Sequence, residues 1–141
     1  MTEEFNLQRF VEAQDPIYHT VTEELRMGRK RTHWMWFIFP QLKGLGWSST
    51  AKFYGIESLN EATAYLEHKT LRPRLIECAT LVHQVEGKSA RQILSSPDDL
   101  KLRSSVTLFR EADSTLEIFQ TVLDKFYDGQ ADDKTLELLR Q

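Results

Sequence analysis

Helix-start and helix-stop signals recur along the whole chain, and they constrain its fold more than any other feature. Asp15-Pro16 opens "DPIYHTVTEELRMG", with Asp15 expected as the N-cap, Pro16 at the first helical position and Gly28 as the stop. Ser58 with Glu61 three residues on has the form of a capping box. Ser89 precedes a short "ARQIL" segment. Ser96-Pro97-Asp98-Asp99 is another helix start, with its acids at the positive end of the dipole. Asp113 opens a run that Gly129 closes. Between these marks the apolar residues repeat at three and four, as in Leu71, Leu75, Cys78, Val82 and Val85. The pattern predicts an all-α fold of about seven or eight mostly short helices.

"HWMWFIF" suits a strand by propensity. It lacks a period of two, however, and lies between Thr32, a candidate N-cap, and Pro40, a stop. A short helix, apolar on nearly every side and therefore buried, fits better. "STAKFYG" predicts another short helix after a glycine turn. No repeat or linker interrupts the 141 residues, so residues 1–141 are expected to form one domain. A chain of that size buries roughly two thirds of its unfolded surface, enough for a core without staples. Its single cysteine, Cys78, lies on an apolar stripe and reads as a small core hydrophobe in a reducing cytoplasm. "MTEEFNLQRF" has no apolar core of a secretory signal. The six-residue run "WMWFIF" falls far short of the ~20 residues of a membrane span.

Charge is strongly localised. The chain carries −3 overall, yet between Leu25 and Ile56 there are six basic residues and no acid, which leaves −9 for the remainder. The same window holds all three tryptophans and four of the six glycines. A composition shift this local marks a binding site. Arg29, Lys30 and Lys43 are the candidate anion-binding cations, and Trp34, Trp36 or Trp47 would stack on a flat ring. Gly44 and Gly46 would let the backbone turn tightly beside a ligand, and Gln41 offers an amide just past the apolar run. His33 and Asp98 are the candidates for proton transfer, since a neighbouring cation favours the neutral imidazole that a base needs. On the helix after Pro97, Lys101, Ser104 and Ser105 are expected to line the opposite wall. Glu12, Gln14 and Asp15 are further polar candidates. No zinc spacing, phosphate loop or nucleophile elbow occurs, so neither metal nor cofactor is expected.

The stretches "FVEAQDPIY", "ELRMGRKRTHWMWFIFPQLKGLG", "AKFYGI", "EATAYLEHKTLRPRL", "DDLKLRSSVTLF" and "FYDGQADDKTLELL" resemble a bacterial family known as domain of unknown function 1810. The resemblance runs from Phe10 to Leu139 and implies a compact, single-domain, all-helical fold. It implies no activity. The calpastatin label that some members carry does not suit this core-rich chain, because calpastatin-type inhibitors are long and disordered. Size and helical character are also similar to the NADAR group, which acts on ADP-ribose-type compounds, a likeness of fold alone.

Three functions follow from these residues. The first is a binding domain, or a hydrolase, for a small anionic ligand such as a nucleotide or an ADP-ribose-like compound. The second is a protein-interaction domain whose basic turn meets an acidic partner. The third is a single-stranded nucleic-acid module, which ranks lower because the acidic remainder repels a long polyanion. No membrane partner is expected, and nothing in the sequence sets an oligomeric state.

Overall fold

The computed structural model describes residues 5–141. Ten α-helices follow one another along these residues. They are α1 (Gln8–Gln14), α2 (Tyr18–Arg26), α3 (Met35–Ile38), α4 (Ser49–Phe53), α5 (Leu59–Glu67), α6 (Leu71–Gln84), α7 (Ala90–Leu94), α8 (Asp98–Ala112), α9 (Ile118–Phe126) and α10 (Asp133–Leu139). A 3-10 turn covers Lys43–Leu45. The count exceeds the expected seven or eight because several helices are barely one turn long, α3 having four residues and α4 five. No strand forms among the described residues. Among them a single parallel bridge joins Leu42 to Ile56.

Helix α8 is the axis of the core. Leu102 and the unbroken run Ser104 to Phe109 are buried, so nearly every face of its middle is covered. Helices α5, α7, α9 and α10 pack around it. A file of aromatic rings crosses the layers. Phe10 of α1 meets Tyr65 of α5 edge-on at 5.2 Å, Tyr65 meets Phe109 of α8 at 5.1 Å, and Phe109 meets Phe119 of α9 at 6.0 Å. Each such buried ring stabilises the fold by about 1.5–3 kcal/mol through burial. The cluster unites residues from Leu7 to Leu123.

Several caps form as the sequence indicates. Ser89 and Gln92 make a reciprocal capping box on α7. Ser58 accepts the Glu61 N–H, but Glu61 returns its carboxylate to the Glu57 N–H instead of the Ser58 N–H. Asp15 is not an N-cap. It closes α1, Ile17 occupies the N-cap of α2, and the Asp15 carboxylate pairs with Arg74 at 2.8 Å. Thr32 does not cap α3 either, since Trp34 holds that position. Asp113 ends α8 and accepts the Thr115 N–H in a local turn, so α9 starts later, at Ile118.

Candidate functional site

The basic turn is built on a carboxylate. Glu24 lies three residues after Val21 and beside Leu25, on the apolar stripe of α2, and is buried with them. Its Oε1 accepts the N–H groups of Arg31 (2.8 Å) and Thr32 (3.1 Å) and the indole N–H of Trp34 (2.9 Å). Its Oε2 accepts the Thr32 hydroxyl at 2.8 Å. Burial alone would push this carboxyl up, but the donors from Arg31, Trp34 and Thr32 outweigh it and hold Glu24 below the ordinary range. The chain after Gly28, whose φ of +72° suits glycine, therefore wraps around an anion. The candidate list drawn from the sequence omits Glu24. The signal available there was an acid at core spacing on an amphipathic helix.

Beyond this turn a second cluster forms. Lys30 Nζ lies 2.9 Å from Asp98 Oδ2, and Lys101 Nζ lies 3.6 Å from Asp98 Oδ1. The two ammoniums also face indoles, Lys30 at 5.3 Å from the Trp34 ring and Lys101 at 4.7 Å from the Trp36 ring. The structure thus gathers Lys30, Trp34, Trp36, Asp98 and Lys101 from two distant parts of the chain. Asp98 is occupied by its two lysines.

Trp36 also belongs to a cavity of about 590 Å³, walled by His33, Trp36, Phe37, Ser49, Thr50, Phe53 and Tyr54. Here the two flanks of the aromatic run meet. His33 comes from the basic side, and Ser49 and Thr50 come from the first turn of α4. Three features bring α4 back to α3. Leu42 and Ile56 pair their backbones, with Lys43 N–H donating to Ile56 at 2.8 Å and Ile56 N–H to Gln41 at 2.9 Å. Ser48 caps α4 by accepting the Ala51 N–H. Gly46 lies so close to α4 that a Cβ there would stand 2.7 Å from the Ala51 Cβ.

The other candidates lie elsewhere. Trp34 is 1% exposed, so its ring offers no face to a ligand. Ser105 is fully buried and its hydroxyl has no partner. Ser104 bonds to Leu100 and to Asp132, the cap of α10. Gln41 is half-buried and outside the cavity wall. Gly44 packs near Leu138 of α10, and Lys43 lines a neighbouring cavity. Arg29 and Arg31 are exposed, as is Glu12, and Trp47 is 94% exposed. Gln14 is buried, donating to Phe37 O at 2.7 Å and to the Tyr65 hydroxyl. Phe53 and Tyr54 were missed as wall residues; the aromatic pair in "AKFYG" was the available hint.

Burial pushes the Cys78 thiol up to about 12, so it stays protonated as a core residue. Among the described residues, no three His, Cys, Asp or Glu side chains converge as metal ligands, and no helix is long and apolar enough to cross a membrane.

The crystal structure of the conserved hypothetical protein Rv1873 from Mycobacterium tuberculosis is similar to this chain at 55% identity and a TM-score of 0.97. The match covers 99% of each chain. No curated protein matches. Residues 4–139 match the family described as "Protein of unknown function (DUF1810)", and the chain belongs to that family.

Proposed function

We propose that this protein binds a small anionic ligand bearing a flat ring, a nucleotide or an ADP-ribose-like compound, in the cavity between α3 and α4. The observation that carries this reading is the meeting of His33 and Trp36 with Ser49, Thr50 and Phe53 around one opening. The volume of about 590 Å³ falls in the range of small-molecule sites. Aromatic walls suit ring stacking, typically ~1–3 kcal/mol per base. The imidazole and the two hydroxyls supply donors and acceptors for a ring edge or a ribose. The surrounding window of six basic residues favours a negative ligand.

Binding is better supported than hydrolysis. His33 is the one imidazole in the cavity wall, and no carboxylate joins it there. Asp98 stands outside that wall, held by Lys30 and Lys101. Titration with ADP-ribose, NAD and mononucleotides, followed by tryptophan fluorescence, tests the proposal. A saturable change is expected, weakened in Trp36→Ala. Silence from every compound at millimolar concentration would falsify it.

A second reading has one observation in its favour: Trp47 projects with 94% exposure, and Arg29 and Arg31 of the same basic window are exposed as well. An exposed indole and exposed guanidiniums suit a protein partner. Co-purification of one stoichiometric protein, lost on charge reversal at Arg29 and Arg31, would favour this reading.

A further inference from the structure

We infer that the ligand spans two adjoining cavities and carries a phosphate or diphosphate into the second one, where Lys43 and Lys52 hold it. This inference rests on the ring-binding proposal for the first cavity. Phe53, which is 56% exposed, belongs to the walls of both cavities, so they adjoin at that residue. The first cavity is aromatic. The second, about 400 Å³, is lined by Arg9, Lys43, Lys52, Glu57 and Glu61.

The charges in this second cavity divide into two sets. Arg9 and Glu61 are committed to structure. They pair at 3.0 Å, and Arg9 also donates to Phe53 O at 2.8 Å and Gly55 O at 3.0 Å. Glu61 further accepts the Glu57 N–H at 2.7 Å. Arg9 thus fixes the end of α4 and with it the backbone of the shared residue, Phe53. Lys43 and Lys52 form the second set. Lys43 pairs with Glu57 at 3.0 Å, with both side chains about half exposed. Exposed pairs of this kind hold weakly, so a phosphate can take the ammonium from Glu57. Lys52 is exposed and forms no ion pair among the described residues. Two lysines can meet a dianion that one flexible carboxylate does not match.

Gly55 sets the position of one of them. Its backbone presses on Lys43, where a Cβ would come within 2.5 Å of the Lys43 Cα. A nucleoside phosphate or diphosphate fits this arrangement, its ring beside Trp36 and its charge past the edge of Phe53.

Calorimetry with adenosine, ADP and inorganic pyrophosphate tests this on the full chain. The variants are Lys43→Ala/Lys52→Ala and the charge-matched Lys69→Ala/Lys134→Ala, both checked for fold by circular dichroism. ADP is expected to bind the native protein roughly tenfold tighter than adenosine. That gain should fall below about threefold in Lys43→Ala/Lys52→Ala and persist in the charge-matched variant. Pyrophosphate alone should bind more weakly than ADP. Adenosine binding without a gain for ADP overturns this inference and leaves the ring site standing. A gain that survives in Lys43→Ala/Lys52→Ala, or that disappears in the charge-matched variant, overturns it too. Pyrophosphate bound as tightly as ADP shows a free-anion site and also overturns it. If neither adenosine nor ADP binds, both proposals fall.

Discussion

The indole N–H of Trp34 donates to Glu24 Oε1 at 2.9 Å, and this bond ties the start of the aromatic run to α2. The consequence is a division of labour between neighbouring tryptophans. Trp34 is turned into the core, while Trp36, two residues on, reaches the cavity wall. The backbone of Arg31 and Thr32 bonds to the same carboxylate, so the basic turn has a fixed course, with Arg29 and Arg31 exposed on it.

Glu24→Ala should therefore cost about 2–4 kcal/mol, since it strands several donors at once, the indole N–H among them buried. Glu24→Gln should cost about 1–2 kcal/mol, because an amide oxygen still accepts. Urea unfolding measures both. The pH dependence has a definite sign. The folded carboxyl sits below its unfolded value of about 4.3, so its contribution is complete above that pH and is lost as pH falls through the folded value. The Glu24→Gln protein should lose less stability over that acid window than the native one. An identical acid profile in the two proteins would remove Glu24 as the origin.

Glycine substitutions should rank by what the new methyl meets. Gly55→Ala drives a Cβ to 2.5 Å from the Lys43 backbone, and the backbone has no rotamer to yield. A loss of about 1–3 kcal/mol is expected. Gly44→Ala meets only the end of Leu138 at 3.2 Å and should be within about 0.5 kcal/mol of neutral. Thermal melting of the two proteins decides, and equal losses would contradict the ranking.

Ser104 and Ser105 are adjacent on α8 and should respond in opposite ways. The Ser105 hydroxyl is buried and unpartnered, so Ser105→Ala should be neutral or stabilising by about 1 kcal/mol. Ser104→Ala removes a donor to Asp132 and Leu100 and should cost about 1 kcal/mol. Because Ser105 does not line the cavity, its substitution should leave nucleotide titrations unchanged. A lost titration in Ser105→Ala would show instead that its hydroxyl reaches the ligand.

His33 is exposed, and His33→Ala should shift stability by less than about 0.5 kcal/mol. Its effect should fall on the ligand, as a weaker fluorescence response to nucleotides. Unfolding of His33→Ala would mark the imidazole as a structural group and not a wall of the site.

The elements of this fold are local, and the sequence by itself determined most of them. Ser89 with Gln92, the acids Asp98 and Asp99, and the apolar stripe from Leu71 to Val82 each state a helix within a few residues. The break at Asp15-Pro16 was visible as well, but not which side of it Asp15 serves, because Arg74, far along the chain, takes its carboxylate. The basic, tryptophan-rich window was equally legible as a local shift in composition. Its internal sorting was not. That Trp34 faces Glu24, that Asp98 is held by Lys30 and Lys101, and that Phe53 of α4 comes to lie beside His33 all depend on contacts between segments distant in the chain. Periodicity assigns a residue to the face of its own helix. What that face meets is set by packing around α8 and by the bridge between Leu42 and Ile56, and only the tertiary structure decided it.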